Sequence, residues 1–318
     1  MRLRTLLKLG LGVGVVAALF LVVFPRIASY GAVADQLGTV STPWIVALAA
    51  GALLDIVTTA PPWRVLLPQL SWVGALSFTQ ASTALTSVLP GGAPVGMALS
   101  FGFLKRLGIG SGEAGFAVAL TGIWSQGLIL LYPLVGAVLV LGTGQLSETT
   151  LAIVLASGGA AAVIALLVVL AFRSPRLARR LGERFTQLRS EQLVTLRKRW
   201  PALTLATVAN HLSAYLVFEL SLRAVGISVA QIPPSESFLA WSIGRVISTL
   251  PLTPAGAGLV ELGLIGTLVG FGADNADVVA AVLLYRAVIV LPTLLVGFAS
   301  LIVLRYKTAS TGASRGSS

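Results

Sequence analysis

The chain has no cysteine, and His211 is its one histidine in 318 residues. Those absences exclude disulfides, thiolate nucleophiles and metal centres built from cysteine or histidine clusters. Charge is scarce too. Charged residues make up 10% of the chain against 56% hydrophobic, with a mean hydropathy of +0.94; this is too apolar for a soluble domain. The composition implies an integral membrane protein. At about 20 residues per pass, little chain is left outside the bilayer, so neither a soluble catalytic domain nor a cofactor is expected.

The charge that is present has a sign and a place. The net charge is +11, and nine of the 22 basic residues fall within 173–200, against only Glu183 and Glu191. Arginines beside spanning helices stay in the cytoplasm and can touch anionic headgroups. The cluster therefore reads as a topological signal, and nucleic acid is not an expected partner. Leu177, Leu181, Phe185 and Leu188 recur at three- and four-residue steps, compatible with an amphipathic helix on the inner leaflet or with a solvated connector.

Arg2, Arg4 and Lys8 precede an apolar run over 9–24. The run is long for a signal peptide and no small-x-small site follows Pro25-Arg26, so it reads as a first spanning helix. Further spans are expected at roughly 43–60, 112–141, 150–172, 201–224 and 277–304. Two more apolar stretches, 72–108 and 236–272, are each split: by Leu89-Pro90-Gly91-Gly92-Ala93-Pro94 and by Leu250-Pro251-Leu252-Thr253-Pro254-Ala255-Gly256. A helix broken inside hydrocarbon leaves N–H and C=O groups unpaired, so such a break survives only where protein or water surrounds it. Breaks in corresponding halves point to a transporter-like site.

Placing the basic loops inside puts both termini in the cytoplasm and the lysine- and arginine-free 142–150 loop outside. The first broken hairpin then dips in from the cytoplasm and the second from the exterior. The expected fold is an all-α polytopic membrane protein: about six full transmembrane helices plus two oppositely oriented re-entrant hairpins, an inverted repeat suited to alternating access. It forms one transmembrane domain over 1–307, with halves at roughly 43–141 and 201–304 joined by the basic connector 173–200. Residues 308–318 have the composition of a flexible tail.

The segment Pro251-Leu252-Thr253-Pro254-Ala255-Gly256-Ala257-Gly258-Leu259-Val260-Glu261, the triplet Leu284-Tyr285-Arg286, and the first-half run Leu89-Pro90-Gly91-Gly92, Lys105-Arg106-Leu107-Gly108 and Glu113-Ala114 resemble the lysylphosphatidylglycerol synthase transmembrane-region family. The resemblance covers nearly the whole chain. It departs in one respect: the family's acidic-arginine elements have no counterpart in 95–103 or 117–127, which carry no charge, so charge-dependent binding is not expected from the first half. No acyltransferase-like domain follows Lys307, and the synthase activity of fused relatives is not expected. The resemblance implies a lipid-handling domain in the bacterial plasma membrane, a flippase acting on membrane phospholipids, with a separate lipid synthase as a conceivable partner.

At about 1.5 Å of rise per residue, Glu219, Arg245, Glu261 and Arg286 fall in the outer half of the bilayer. Unpaired charges there are costly, so mutual pairing inside the bundle is expected. The four either lock a strained hairpin or line a cavity where Arg245 and Arg286 attract a lipid phosphate. His211 beside Asn210 reads first as a satisfied packing histidine, with a proton-shuttle role as the alternative. Asp55 has Arg64, Lys105 and Arg106 as candidate partners, or is simply interfacial.

The arm entering the first break carries Ser77, Thr79, Gln80, Ser82, Thr83, Thr86 and Ser87, either a hydrated path or a packing seam; Trp124, Ser125 and Gln126 would extend it. Beyond each break a half-helix begins. Its free N–H groups and dipole favour an anion, and Gly91, Gly92, Gly256 and Gly258 permit close backbone approach. Together these features point to a lipid translocase. The rivals are a membrane-embedded lipid-modifying enzyme using Glu261, Glu219 or His211, and a non-catalytic partner of a synthase; no nucleophile–base–orienter arrangement supports the enzyme.

Overall fold

The computed structural model of the protein describes residues 30–88, 92–141, 148–173, 183–250 and 256–313. Every regular element among them is helical: α1 (Tyr30–Gly38), α2 (Thr42–Thr58), α3 (Pro61–Leu66), α4 (Trp72–Val88), α5 (Gly92–Arg106), α6 (Ser111–Val140), α7 (Glu148–Arg173), α8 (Glu183–Ala224), α9 (Pro234–Ser248), α10 (Leu259–Gly270) and α11 (Asn275–Ala313). Prolines mark several starts. Pro43 and Pro61 sit in the first turns of α2 and α3, where the missing N–H has no intrahelical partner to lose.

Four helical stretches are long and apolar enough to cross a membrane: Thr42–Leu66, Ser111–Val140, Arg197–Ala224 and Asn275–Leu301. Leu205, Val138 and Leu295 lie outward on them, each more than 60% exposed. In water such surface would drive association; against lipid it is the solvent-facing side. Over the expected span at 150–172 lies the helix α7, whose apolar stretch Thr150–Val163 is shorter than those four, whereas the one at 9–24 lies outside the described residues.

Two boundaries differ from expectation. Helix α8 is continuous through Pro201 from Glu183, so residues 183–200 of the basic connector belong to the helix that becomes the span. The tail expected from 308 instead continues α11 through Ala313. The expectation for the tail followed composition alone, whereas a helix already running adds each further residue at little cost.

The two broken stretches become two helix pairs, α4 with α5 and α9 with α10. Most of the break residues, 89–91 and 251–255, lie outside the described chain. The packing of the halves is reciprocal: α4 lies on α11, and α9 lies on α6. The connector after each pair is the same turn. At the end of α5, Gly108 (φ +86°) follows Leu107 and the Ile109 N–H donates to Leu104 O at 3.1 Å; at the end of α10, Gly272 (φ +97°) follows Phe271 and the Ala273 N–H donates to Leu268 O at 3.2 Å. This is the six-to-one closure that a left-handed glycine allows. Leu104 and Leu268 are both fully buried beneath it.

Gly136 on α6 and Gly297 on α11 are separated by the same number of residues as Pro90 and Pro251, and each brings its helix against the opposite half. A Cβ at Gly136 would lie 2.9 Å from Leu239 Cα on α9; at Gly297 it would lie 2.5 Å from Gln80 O on α4 and closer still to Ala84 Cβ. Small residues at crossings let backbones approach in a membrane, where packing rather than hydrophobicity holds helices together. The two close crossings therefore stand at the same spacing as the two sequence breaks.

Gly297→Ala should force α4 and α11 apart and cost about 1–3 kcal/mol, read as a lower thermal midpoint of the detergent-solubilised protein. Gly266→Ala, which meets open space, should leave the midpoint unchanged or raise it.

Candidate functional site

A cavity of about 330 Å³ opens between α4, α5, α6 and α8. From α4 it takes Thr79, Ser82, Thr83 and Thr86; from α5, Gly96, Met97 and Ser100; from α6, Val118, Thr121, Gly122 and Ser125; from α8, Thr207, Asn210 and His211; Thr59, Pro62 and Trp63 close the remaining side. Nine of these side chains are hydroxyls and none is charged. Such polarity inside a membrane bundle needs internal partners or water.

Part of that need is met between helices. Ser82 Oγ lies 2.9 Å from Ser100 Oγ and donates to Gly96 O at 3.1 Å. The entering arm is thus a packing seam against α5 and the wall of a cavity at once. Gln80 and Ser87 of the same arm are not in the lining: Gln80 Nε2 donates to Thr59 Oγ1 at 3.2 Å, and Ser87 Oγ to Thr83 O at 2.9 Å. Trp124 does not extend the wall; its Nε1 donates to Thr204 Oγ1 at 3.0 Å.

His211 is 3% exposed and held at both ring nitrogens, with Ser125 Oγ 3.0 Å from Nε2 and Tyr132 OH 3.0 Å from Nδ1. It is both a satisfied packing residue and the cavity's floor. Behind it stand the aromatic rings of Tyr132, Phe238, Trp241 and Tyr215, with centroids 5.2–6.0 Å apart.

The four charges do not form one network. Glu261 Oε1 accepts from Arg286 Nε at 2.7 Å, and that pair is as expected. Glu219 is taken by Arg223 instead, which donates through Nε at 3.0 Å and Nη2 at 2.5 Å; Ser237 Oγ adds a bond of 2.5 Å. Arg223 also donates to Ile227 O and Ile232 O at 2.8 and 2.7 Å, tying the end of α8 to the loop before α9. The spacing of Glu219 and Arg223, one helical turn apart, was the signal that identifies this pair.

Arg245 has no ion-pair or hydrogen-bond partner among the described residues. Its Nε is buried unpaired and its Cζ lies 5.8 Å from the Trp241 ring centroid, a weak cation–π contact. It does not line the cavity, but it is within electrostatic range of His211, Tyr132, Tyr285 and Asp55.

Asp55 pairs with none of its candidate bases. It accepts from Ser213 Oγ at 2.9 Å, and Ser213 lies 2.9 Å from Thr58 Oγ1, which accepts from Asn210 Nδ2 at 3.2 Å. Asp55 faces α8 across the α2–α8 contact, while Arg64 donates to Leu70 O at 3.1 Å and lies 4.6 Å over the Trp72 ring.

The glycines divide. Gly91 lies outside the described residues and Gly92 opens α5. Gly256 and Gly258 have φ of +68° and +84°, and a Cβ on Gly256 would lie 2.7 Å from Val260 Cγ2. The Gly258 N–H donates to Glu261 Oε2 at 2.6 Å. The anion expected at the start of α10 is therefore the chain's own carboxylate, capping the helix with one oxygen while the other holds Arg286.

The model of the family described as the lysylphosphatidylglycerol synthase TM region matches residues 8–297, so the chain belongs to that family. No curated protein matches it at a significant level.

Glu261→Gln removes the counter-charge of Arg286 and weakens the cap of α10. Breaking such a buried pair from one side costs about 3–5 kcal/mol, measurable as a fall in thermal midpoint. Glu219→Gln should cost less, because Arg223 keeps its two backbone carbonyls.

Proposed function

We propose that the protein is a translocase that moves a phospholipid or aminoacyl-phospholipid between leaflets. The polar cavity is the observation that supports this reading most directly: an uncharged, hydroxyl-lined chamber inside an apolar bundle gives a headgroup a substitute for water while the tails stay in lipid. At about 330 Å³ it is at the small end of ligand sites, suited to a headgroup rather than a whole lipid.

In this reading the α4–α5 and α9–α10 pairs are re-entrant hairpins of opposite orientation in a plasma-membrane protein with both termini cytoplasmic. Their reciprocal packing on α11 and α6 supports rocking of one half against the other. Arg245, a cation on the second hairpin without a salt-bridge partner among the described residues, attracts the lipid phosphate as the headgroup passes between the halves. Arg286 and Glu261 hold the second hairpin's ascending helix in place. A family description that refers to a lipid synthase's membrane region is consistent with lipid as the substrate.

Reconstitution into vesicles with headgroup-labelled phospholipids tests the proposal. A translocase exposes the label on the opposite leaflet and leaves the lipid chemically unchanged; Arg245→Gln should slow it about ten-fold or more, the worth of one charge-assisted contact. A chemically altered lipid would identify a modifying enzyme. No movement at all, with a lipid synthase co-purifying, would identify a partner subunit.

A further inference from the structure

We infer that the cavity selects an uncharged, hydroxyl-bearing headgroup, a glycerol or a sugar, by offering it hydrogen-bond acceptors. The substrate class narrows the translocase reading, dropping its aminoacyl-phospholipids in favour of polyol lipids, and rests on that reading for transport, but binding tests it separately.

A serine or threonine hydroxyl has one hydrogen to donate and two lone pairs to accept with. Five of the six threonines around this cavity have their hydrogen committed. Thr79 donates to Ala75 O at 2.8 Å, Thr86 to Ser82 O at 2.7 Å, Thr121 to Ala117 O at 2.5 Å and Thr207 to Leu203 O at 2.7 Å. Each is the carbonyl one turn back on the same helix, the usual back-bond of a threonine inside a helix. Thr59 also donates to a backbone carbonyl, Ile56 O at 2.7 Å, but its oxygen already accepts from Gln80 Nε2. What these oxygens leave for an occupant is lone pairs.

The remaining groups add few donors. His211 is engaged at both nitrogens and Ser82 and Ser100 bond each other, which leaves Thr83, the second amide hydrogen of Asn210, the Trp63 N–H and, in the tautomer where His211 donates to it, Ser125. An occupant must therefore mostly donate. Phosphate and carboxylate cannot, because they only accept. A trimethylammonium headgroup has no N–H to offer. A primary ammonium does, yet no carboxylate lines the cavity, and an uncompensated charge taken from water costs more than neutral hydroxyls return. A polyol meets every condition: its O–H groups donate into the threonine oxygens, and its own oxygens accept from Thr83 and Asn210.

The test uses the full-length purified protein and four short-chain lipids with glycerol, glucose, ethanolamine and choline headgroups: phosphatidylglycerol, a glucosyl-diacylglycerol, phosphatidylethanolamine and phosphatidylcholine. Concentration-dependent thermal stabilisation gives the affinity of each. The inference expects at least one polyol lipid to bind about ten- to a hundred-fold tighter than both amine lipids, the effect of a few hydrogen bonds; the better of the two polyols identifies the source. Thr121→Val with Thr207→Val should erase the preference, and Thr121→Ser with Thr207→Ser should retain it.

Equal or tighter binding of phosphatidylethanolamine or phosphatidylcholine overturns the inference, as does a preference that survives the valine pair. Should the valine pair fail to fold, the wild-type ranking alone decides. Vesicle transport of the same four lipids separates the two readings: selective binding without transport sinks the translocase and leaves the selectivity standing, while unselective transport does the reverse.

Discussion

A polar group in hydrocarbon has to find its partner within the chain, and this constraint arranges the whole molecule. Glu261 shows it in one side chain, with one oxygen on the Gly258 N–H and the other on Arg286. Without that carboxylate the start of α10 would lose its cap and the Arg286 guanidinium a counter-charge. Glu219 and Arg223 do the same at the exit of α8. Thr79 and Thr86 of α4, Thr121 of α6 and Thr207 of α8 satisfy themselves on their own helices, which is why a cavity can form beside them without charge.

The two halves share a scaffold and fill it differently. Ser77 and Phe238, and likewise Gln80 and Trp241, stand at the separation of Pro90 and Pro251. Where α4 presents hydroxyls, α9 presents rings that stack with Tyr132 and Tyr215. One helix pair therefore borders a cavity while the other is packed. Arg245 stands at that same separation from Ala84, with its guanidinium near the Trp241 ring of the packed half.

Much of this was legible in sequence, and the reasons differ by feature. Spans at 43–60, 112–141 and 201–224 follow from apolar runs, and their helices begin or end within a few residues of those limits. The pairing of Glu261 with Arg286 follows from the cost of isolated charge. Thr83 and Thr86 were visible as an unusual polar density. The misassignment of Glu219 had a local cause: a base one turn away outcompetes bases on other helices. Thr59, Ser100, Thr121 and Thr207 were invisible, because a lone hydroxyl in an apolar helix carries no period or motif, and only packing brings four helices' worth of them to one place.

The absence of cysteine makes the central claim, a water-reachable polar chamber within the bundle, directly measurable. Ser100→Cys places a thiol on the cavity wall, and Ala75→Cys places one in the fully buried core beside it. In vesicles, a small polar thiol reagent should label the first quickly and the second hardly at all. Equal resistance of both positions would contradict the account.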